Sequence, residues 1–401
     1  TDGIRGKANH YPMNTETAFS VGQAITHLLN EGGQKVRIVI GRDTRISGDM
    51  LENSLVAGIL SMGGDPCPVG VLPTPGIAFI TADLHASAGI VISASHNPYQ
   101  DNGIKIFSGD GFKLSDEQEE LIEDLILKSD LPQMATPAKD VGQGKGIDDL
   151  FERYISFLKI SFPHDMTMGG IKIVIDTANG ATYKTAPYLF TSLGADIAII
   201  NNSPDGKNIN DNCGSQFTEG LQEHVRQNRA SMGFAFDGDG DRLIAVDEKG
   251  RKIAGDQIML ICARALKAQG RLKNNLLVTS VMSNLGLSVA CRKYGIDRHE
   301  SKVGDRYVLE DMRRLGAVIG GEESGHIILL DQHTTSDGVI TALQLIAAMI
   351  SEQKTLSQLA DMMDIYPQRL INVEVRNKPE ISSVPQLVEA IRDVEARLGD
   401  Q

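Results

Sequence analysis

At 401 residues, 41% apolar and 23% charged, the chain has an ordinary globular composition and the length for two to four domains, because single cores stop growing at about 250–300 residues. A net charge of −13 argues against nucleic acid or an anionic membrane as partner and admits an anionic small substrate only where local cations override the global field. No apolar window approaches the ~20 residues of a membrane span, no signal peptide is visible, and Cys67, Cys213, Cys262 and Cys291 form no CxxC pair, which reads as reduced thiols in a cytoplasmic protein.

The chain opens at Thr1 and closes in "VEARLGDQ", so both ends are expected to be trimmed. "KVRIVIG" (35–41) predicts a strand, and 47–62 a helix capped by Ser47. "GIVIS" (89–93) and "IKIF" (104–107) predict strands around a polar turn. Residues 115–129 predict a helix with a capping serine and an apolar face of Leu121, Ile122, Leu125 and Ile126. The cycle restarts with the strand in "IKIVIDTANG" (171–180) and the strand–loop–strand of "MGFAFDGDGDRLIAVD" (232–247). It restarts again with the helix "DQIMLICARALKAQ", the strand "NLLVTSV" and the helix "SNLGLSVACRKYG". Repeated β-α units of this kind predict α/β layers. Stretches 135–149, 247–256 and 364–369 are the candidate boundaries.

Three loops at strand ends compete for the chemistry. In "SASHNP" (93–98), Ser95 ends a buried strand as a nucleophile would, without a GxSxG elbow or an evident triad aspartate. The plain alternative is a Ser/Asn turn. In "FDGDGDR", Asp237, Asp239 and Asp241 alternate with glycines, and carboxylates this close repel unless a cation neutralises them. An EF-hand fits poorly, because Arg242 stands where that loop requires glycine. An aspartate-nucleophile phosphatase and a solvated acidic turn are the other readings; a hard-cation site, Mg²⁺, is the most economical. With such a cation nearby, Ser95 makes better sense carrying a phosphoryl group, with Lys105 as cation or proton carrier. In "GGEESGH" (320–326), Glu322, Ser324 and His326 alternate, so an extended backbone would point all three one way, toward a polyhydroxylated ligand.

"TDGIRG" (1–6), "SASHNP", "DGDGDR" (237–242) and "GEESGH" (321–326), in this order and spacing, resemble the α-D-phosphohexomutase superfamily over essentially the whole chain. "DTANGATY", "PDGKNINDNCGS", "VGDRYVLEDM" and Glu323 are most similar to its bacterial phosphoglucosamine mutase branch; phosphomannomutase/phosphoglucomutase relatives usually carry Met at the position of Glu323. The resemblance implies a multi-domain α/β fold: three related α/β domains (1–145, 146–250, 251–365) and the start of a smaller C-terminal α+β domain (366–401). It implies Ser95 as the phosphoserine, with Asp237, Asp239, Asp241 and that phosphoserine holding one Mg²⁺. Arg5, Lys105 and His96 match active-site positions, Lys105 as candidate acid/base. Glu322, Ser324, His326, Arg242, Asp305 and Arg306 match substrate-binding positions.

The implied reaction interconverts glucosamine 6-phosphate and glucosamine 1-phosphate through a 1,6-bisphosphosugar, feeding cell-wall precursor synthesis. A homodimer is one expected assembly. The alternatives are a phosphomannomutase/phosphoglucomutase and a non-catalytic Mg²⁺ or sugar-phosphate-binding module. One departure is that the R-x-S-G-T phosphate-clamping pattern of the family's C-terminal domain does not occur here.

Overall fold

The computed structural model describes residues 3–398 except 31–34, 129–130, 145, 370, 372 and 378. Thr1 and Asp2 of the first motif, Ser129 of a predicted helix, boundary residue 145 and the last residues of the supposedly trimmed ends lie outside the described residues.

The first sheet is built from β1 (Ile4–Lys7), β2 (Arg37–Arg42), β3 (Asp65–Val71), β4 (Ala88–Ile92) and β5 (Asp101–Ser108), with α1 (Thr15–Leu29), α2 (Gly48–Ser61), α3 (Thr74–Asp83) and α4 (Asp116–Lys128) around it. Its order is β1-β5-β4-β2-β3; β3, β2 and β4 run parallel, and β5 returns antiparallel beside β4. The plan then repeats. After α5 (Leu150–Ile160) come β6 (Lys172–Asp176), α6 (Thr185–Ser192), β7 (Asp196–Ile200), α7 (Glu219–Asn228), β8 (Met232–Phe236), β9 (Leu243–Asp247) and β10 (Lys252–Ile253). After α8 (Gly255–Ala268) come β11 (Leu276–Ser280), α9 (Leu285–Tyr294), β12 (Asp297–Ser301), α10 (Asp305–Leu315), β13 (Ile319–Gly321) and β14 (Ile327–Leu329). In each sheet the third parallel strand is followed at once by an antiparallel partner: β4–β5, β8–β9 and β13–β14. The three turns joining these pairs carry the three polar loops singled out in the sequence.

The strands read from apolar runs form as β2, β4, β5, β6, β8, β9 and β11. β4 (AGIVI) and β8 (MGFAF) are buried along their whole length, as central strands covered on both faces must be. One apolar cluster runs from Val39 and Ile77 through Tyr154 and Phe190 to Phe236, Met259 and Leu343, so the three sheets share a core. At its centre lies α11 (Gly338–Glu352), capped by Asp337, whose side chain accepts from Val339 and Ile340 N–H; α12 (Leu356–Ala360) follows with a full capping box at Thr355 and Gln358.

Two local expectations need correction. Ser47 stands at the N-cap of α2, but its side chain makes no cap bond; its Oγ accepts from Asn102 Nδ2 at 2.8 Å instead. On α4, Ile122 is buried as expected, whereas Leu121 is 53% exposed because the covering apolar cluster reaches only Ile122, Leu125 and Ile126. No helix among the described residues is long and apolar enough to cross a membrane. Residues 366–401 form a separate unit, whose regular structure among the described residues is a short 3-10 turn (Ile381–Ser383) and helix α13 (Pro385–Leu398).

Candidate active site

Beyond β4 the chain turns sharply, and Ser95 adopts the left-handed region (φ 52°), a strained conformation for a residue with a Cβ that persists only when its surroundings enforce it. Ser95 is buried, and its Oγ donates to Asp237 Oδ2 at 2.6 Å. His96 Nδ1 lies 3.5 Å from the same Oγ. Burial, aided by Arg242, lowers the His96 pKa to about 4, so this imidazole is neutral at pH 7.

The aspartate loop sits directly opposite. One ligand atom each from Asp237, Asp239 and Asp241 lies within 4.8 Å of the others, and all three residues are buried. Asp237 Oδ1 accepts from the Arg242 N–H at 3.1 Å. Asp239 Oδ2 accepts from Lys105 Nζ at 2.8 Å and Thr74 Oγ1 at 2.7 Å. Burial and then the Asp241 and Asp239 charges push Asp237 well above the carboxylate range. For Asp239, burial acts the same way, but Lys105 and Thr74 outweigh it and hold the carboxyl low. Burial likewise opposes charge on Lys105, and the Asp239 and Asp241 carboxylates overcome it, so its pKa is raised.

Asp239 Oδ1 and Asp241 Oδ1 are buried with no hydrogen-bond partner. Such orphaned oxygens need a cation or a proton, and a compact all-oxygen donor set suits a hard divalent ion such as Mg²⁺. The residues fit. Gly238 allows the two loops to meet: a Cβ there would stand 2.5 Å from the Ser95 carbonyl oxygen.

The third loop departs from expectation. Residues 322–326 do not run extended. Gly325 takes φ 90°, Gly325 N–H donates to Glu322 O at 3.0 Å and Glu322 N–H to His326 O at 2.9 Å, forming a tight hairpin turn between β13 and β14. Antiparallel pairing of neighbouring strands needs a reversal here, so Glu322, Ser324 and His326 cannot share one extended face. Glu322 Oε1 accepts from the Gly304 N–H at 3.0 Å, while Ser324 is exposed and outside the cavity lining. His326 is buried, its Nε2 2.7 Å from Ser336 Oγ, 3.0 Å from Asp305 Oδ2 and 3.7 Å from Asp241 Oδ2. Burial opposes its charge, but Asp305 dominates and the His326 pKa is raised. Asp305 also pairs with Lys113. Arg306 donates to the Leu114 carbonyl at 2.8 Å and pairs with Asp116 and Glu119 of α4. Glu323 points toward α8, accepting from the Asp256 N–H at 3.0 Å.

These groups surround a cavity of about 340 Å³ whose lining includes Ser95, Glu322, His326, Asp305 and Asp241 and five basic residues, Arg5, Lys105, Lys113, Arg242 and Arg306. Five carboxylates, Asp116, Glu119, Asp241, Asp305 and Glu322, line the same cavity, so its formal charge is balanced where the whole chain carries −13. His96, Asp237, Asp239 and Ser324 are not part of that lining; the first three lie in or against the loops beneath it. A larger cavity of about 410 Å³ among α1, α4, β1 and β5 is walled mainly by apolar chains such as Ile104, Ile122 and Ile126, and holds none of this chemistry.

The fold agrees with known proteins. Residues 1–133, 152–250 and 254–366 match, in turn, the phosphoglucomutase/phosphomannomutase alpha/beta/alpha domains I, II and III. The phosphoglucosamine mutase of Syntrophobacter fumaroxidans is 64% identical over 401 residues, which is 100% of this chain and 89% of the relative. The chain belongs to the phosphohexomutases and is most like the phosphoglucosamine mutases. That of Syntrophus aciditrophicus is 56% identical, again over 100% of this chain and 89% of the relative. Among solved structures, a phosphoglucomutase/phosphomannomutase family protein from Burkholderia thailandensis superimposes with TM-score 0.78 at 25% identity, over 90% of this chain and 78% of that one. A phosphomannomutase-like protein from Thermus thermophilus gives 0.79 at 23%, over 90% and 82%, a likeness of fold.

Sequence reasoning missed several groups that hold this candidate site together. Thr74, at the N-terminus of α3, donates its N–H to Asp239 O at 2.9 Å as well as its hydroxyl to the carboxylate. Asn210 Nδ2 bridges the Ser95 and Asn97 carbonyls at 2.9 and 3.0 Å. Asp43 and Arg45 follow β2 directly. The signal for that last pair was of the same kind that exposed Ser95, polar residues at the tip of a buried strand.

Proposed function

We propose that the chain is a phosphoglucosamine mutase, an isomerase interconverting glucosamine 6-phosphate and glucosamine 1-phosphate with Ser95 as phosphoryl carrier. The observation that carries this reading is the Ser95 Oγ to Asp237 Oδ2 contact of 2.6 Å beside a cavity lined by five basic and five acidic residues. A divalent ion, Mg²⁺, would be held by Asp237, Asp239 and Asp241 beside the phosphoserine and would supply charge neutralisation for the transferring phosphoryl group.

The chain's own groups do the rest. The free hydroxyl oxygen of the sugar monophosphate bonds to phosphorus as the bond from phosphorus to Ser95 Oγ breaks, giving a 1,6-bisphosphosugar. One proton passes in balance from that hydroxyl to Ser95 Oγ. Lys105, held charged by Asp239, can deliver a proton to Oγ and take the one released. After the bisphosphosugar turns over, Ser95 Oγ takes the other phosphoryl group, restoring the phosphoenzyme and releasing the isomer. Arg5 and Arg242 supply positive charge around the transferring group, while Glu322 and His326 face the sugar. We assign the reaction to the cytoplasm, and a homodimer is the assembly to test by light scattering.

The test is turnover of glucosamine, mannose and glucose 6-phosphates by the purified protein, with intact-mass measurement for one added phosphate. Preference for glucosamine 6-phosphate and a phosphate on Ser95 are expected. Equal or better turnover of the mannose or glucose compound would reassign the substrate, and a protein that never accepts phosphate would overturn catalysis by this serine.

A further inference from the structure

Arg45 is 1% exposed, and a guanidinium carries five N–H donors. All five are used. Nε donates to Asp43 Oδ2 at 2.8 Å, Nη1 to Asp101 O at 3.0 Å and to Pro98 O, and Nη2 to Ser95 O at 3.0 Å and Asn97 O at 2.8 Å. Four backbone carbonyls of the 95–101 loop therefore turn inward onto one planar cation. Asp43 Oδ2 also accepts from Ser93 Oγ at 2.6 Å, and Ser93 Oγ in turn accepts the Ser95 N–H at 2.9 Å. Both backbone polar groups of Ser95 are thus tied to the Asp43–Arg45 pair, the N–H through Ser93 and the carbonyl through Arg45. This residue has the left-handed φ of 52°, which a free loop would relax. Neither Asp43 nor Arg45 lines the cavity.

We propose that Arg45, braced by Asp43 and Ser93, is a positioning residue that holds Ser95 Oγ in line for phosphoryl transfer, controlling kcat without touching the sugar. The inference rests on the reading of Ser95 as phosphoryl carrier. Lysine at position 45 would keep the charge facing Asp43 but has three donors on a single point, so it cannot serve four carbonyls spread around a plane. A shift of Ser95 approaching 1 Å costs on the order of 100-fold in rate.

The experiment compares Arg45→Lys, Ser93→Ala and Ser95→Ala with the unchanged protein, all checked for a folded melting transition, with glucosamine 6-phosphate as substrate. Arg45→Lys is expected to lower kcat at least 100-fold and Ser93→Ala about tenfold, with KM within threefold. Should Arg45→Lys not fold, Ser93→Ala decides. A kcat within threefold of the unchanged protein in the folded variants, while Ser95→Ala is inactive, overturns the positioning role alone. So does a rise in KM that accounts for the loss, since that marks contact with sugar. Activity in Ser95→Ala overturns the carrier reading itself.

Discussion

Gly238→Ala isolates the contact between the serine and aspartate loops. A Cβ at this position would meet the Ser95 carbonyl oxygen at 2.5 Å, Asn210 Nδ2 at 2.7 Å and Ile209 Cδ1 at 2.9 Å, where ordinary contact begins near 3.4 Å. The shortfall against backbone is about 0.9 Å, and all three neighbours are held in place by burial or hydrogen bonds, so the loops must part. A separation of that size would stretch the 2.6 Å Ser95–Asp237 hydrogen bond beyond bonding range. Misplacement near 1 Å lowers rates about 100-fold, or roughly 2.7 kcal/mol of barrier. Overpacking should also lower stability by about 1–3 kcal/mol.

The assay is steady-state turnover of glucosamine 6-phosphate at saturating Mg²⁺, with thermal melting on the same samples. Gly220→Ala serves as control, because its added Cβ meets nothing within 4 Å. A folded Gly238→Ala protein turning over within threefold of the parent would show that close approach of these loops does not set the rate.

Ser95→Ala should abolish turnover while melting within a few degrees of the parent, since one strand-end hydroxyl adds little to the core; a tenth of the parent rate would sink the carrier role. Asp239→Asn, whose amide offers a hard cation less charge, should weaken Mg²⁺ binding and lower activity, with partial recovery at high Mg²⁺. Insensitivity both to this change and to chelator would refute the three-carboxylate site. Burial, followed by the neighbouring Asp256 charge, raises the Glu323 pKa to about 7. The folded state therefore binds this proton more tightly than the unfolded chain, and the stability it contributes is present below pH ~4.5 and lost as pH rises through 7. Melting temperatures from pH 4.5 to 8 should thus fall more steeply for the parent than for Glu323→Gln, and parallel profiles would count against the shift.

The two central loops could be singled out as candidates from the residues alone. A serine at the tip of an apolar strand and three aspartates spaced by glycines can be read locally, because strand burial and charge repulsion are properties of short segments. The repeated strand–helix cycle likewise announced α/β layers, since hydrophobic periodicity is local. Other features required the third dimension. Glu322, Ser324 and His326 alternate in sequence as if extended, yet antiparallel pairing of β13 with β14 demands a turn there, which leaves Ser324 exposed and buries His326. Glu323, read in the sequence as a pointer to the amino-sugar branch, engages the start of α8 and not the cavity. Arg45 shows the limit most clearly. Its four carbonyl partners lie 50 to 56 residues away along the chain, and those of Asp239 lie 134 and 165 away. Hydrogen bonds between residues so far apart have no periodicity to betray them. Those of Arg45 exist because β2 and β4 pair side by side, and those of Asp239 because the first and second sheets bring their strand ends together.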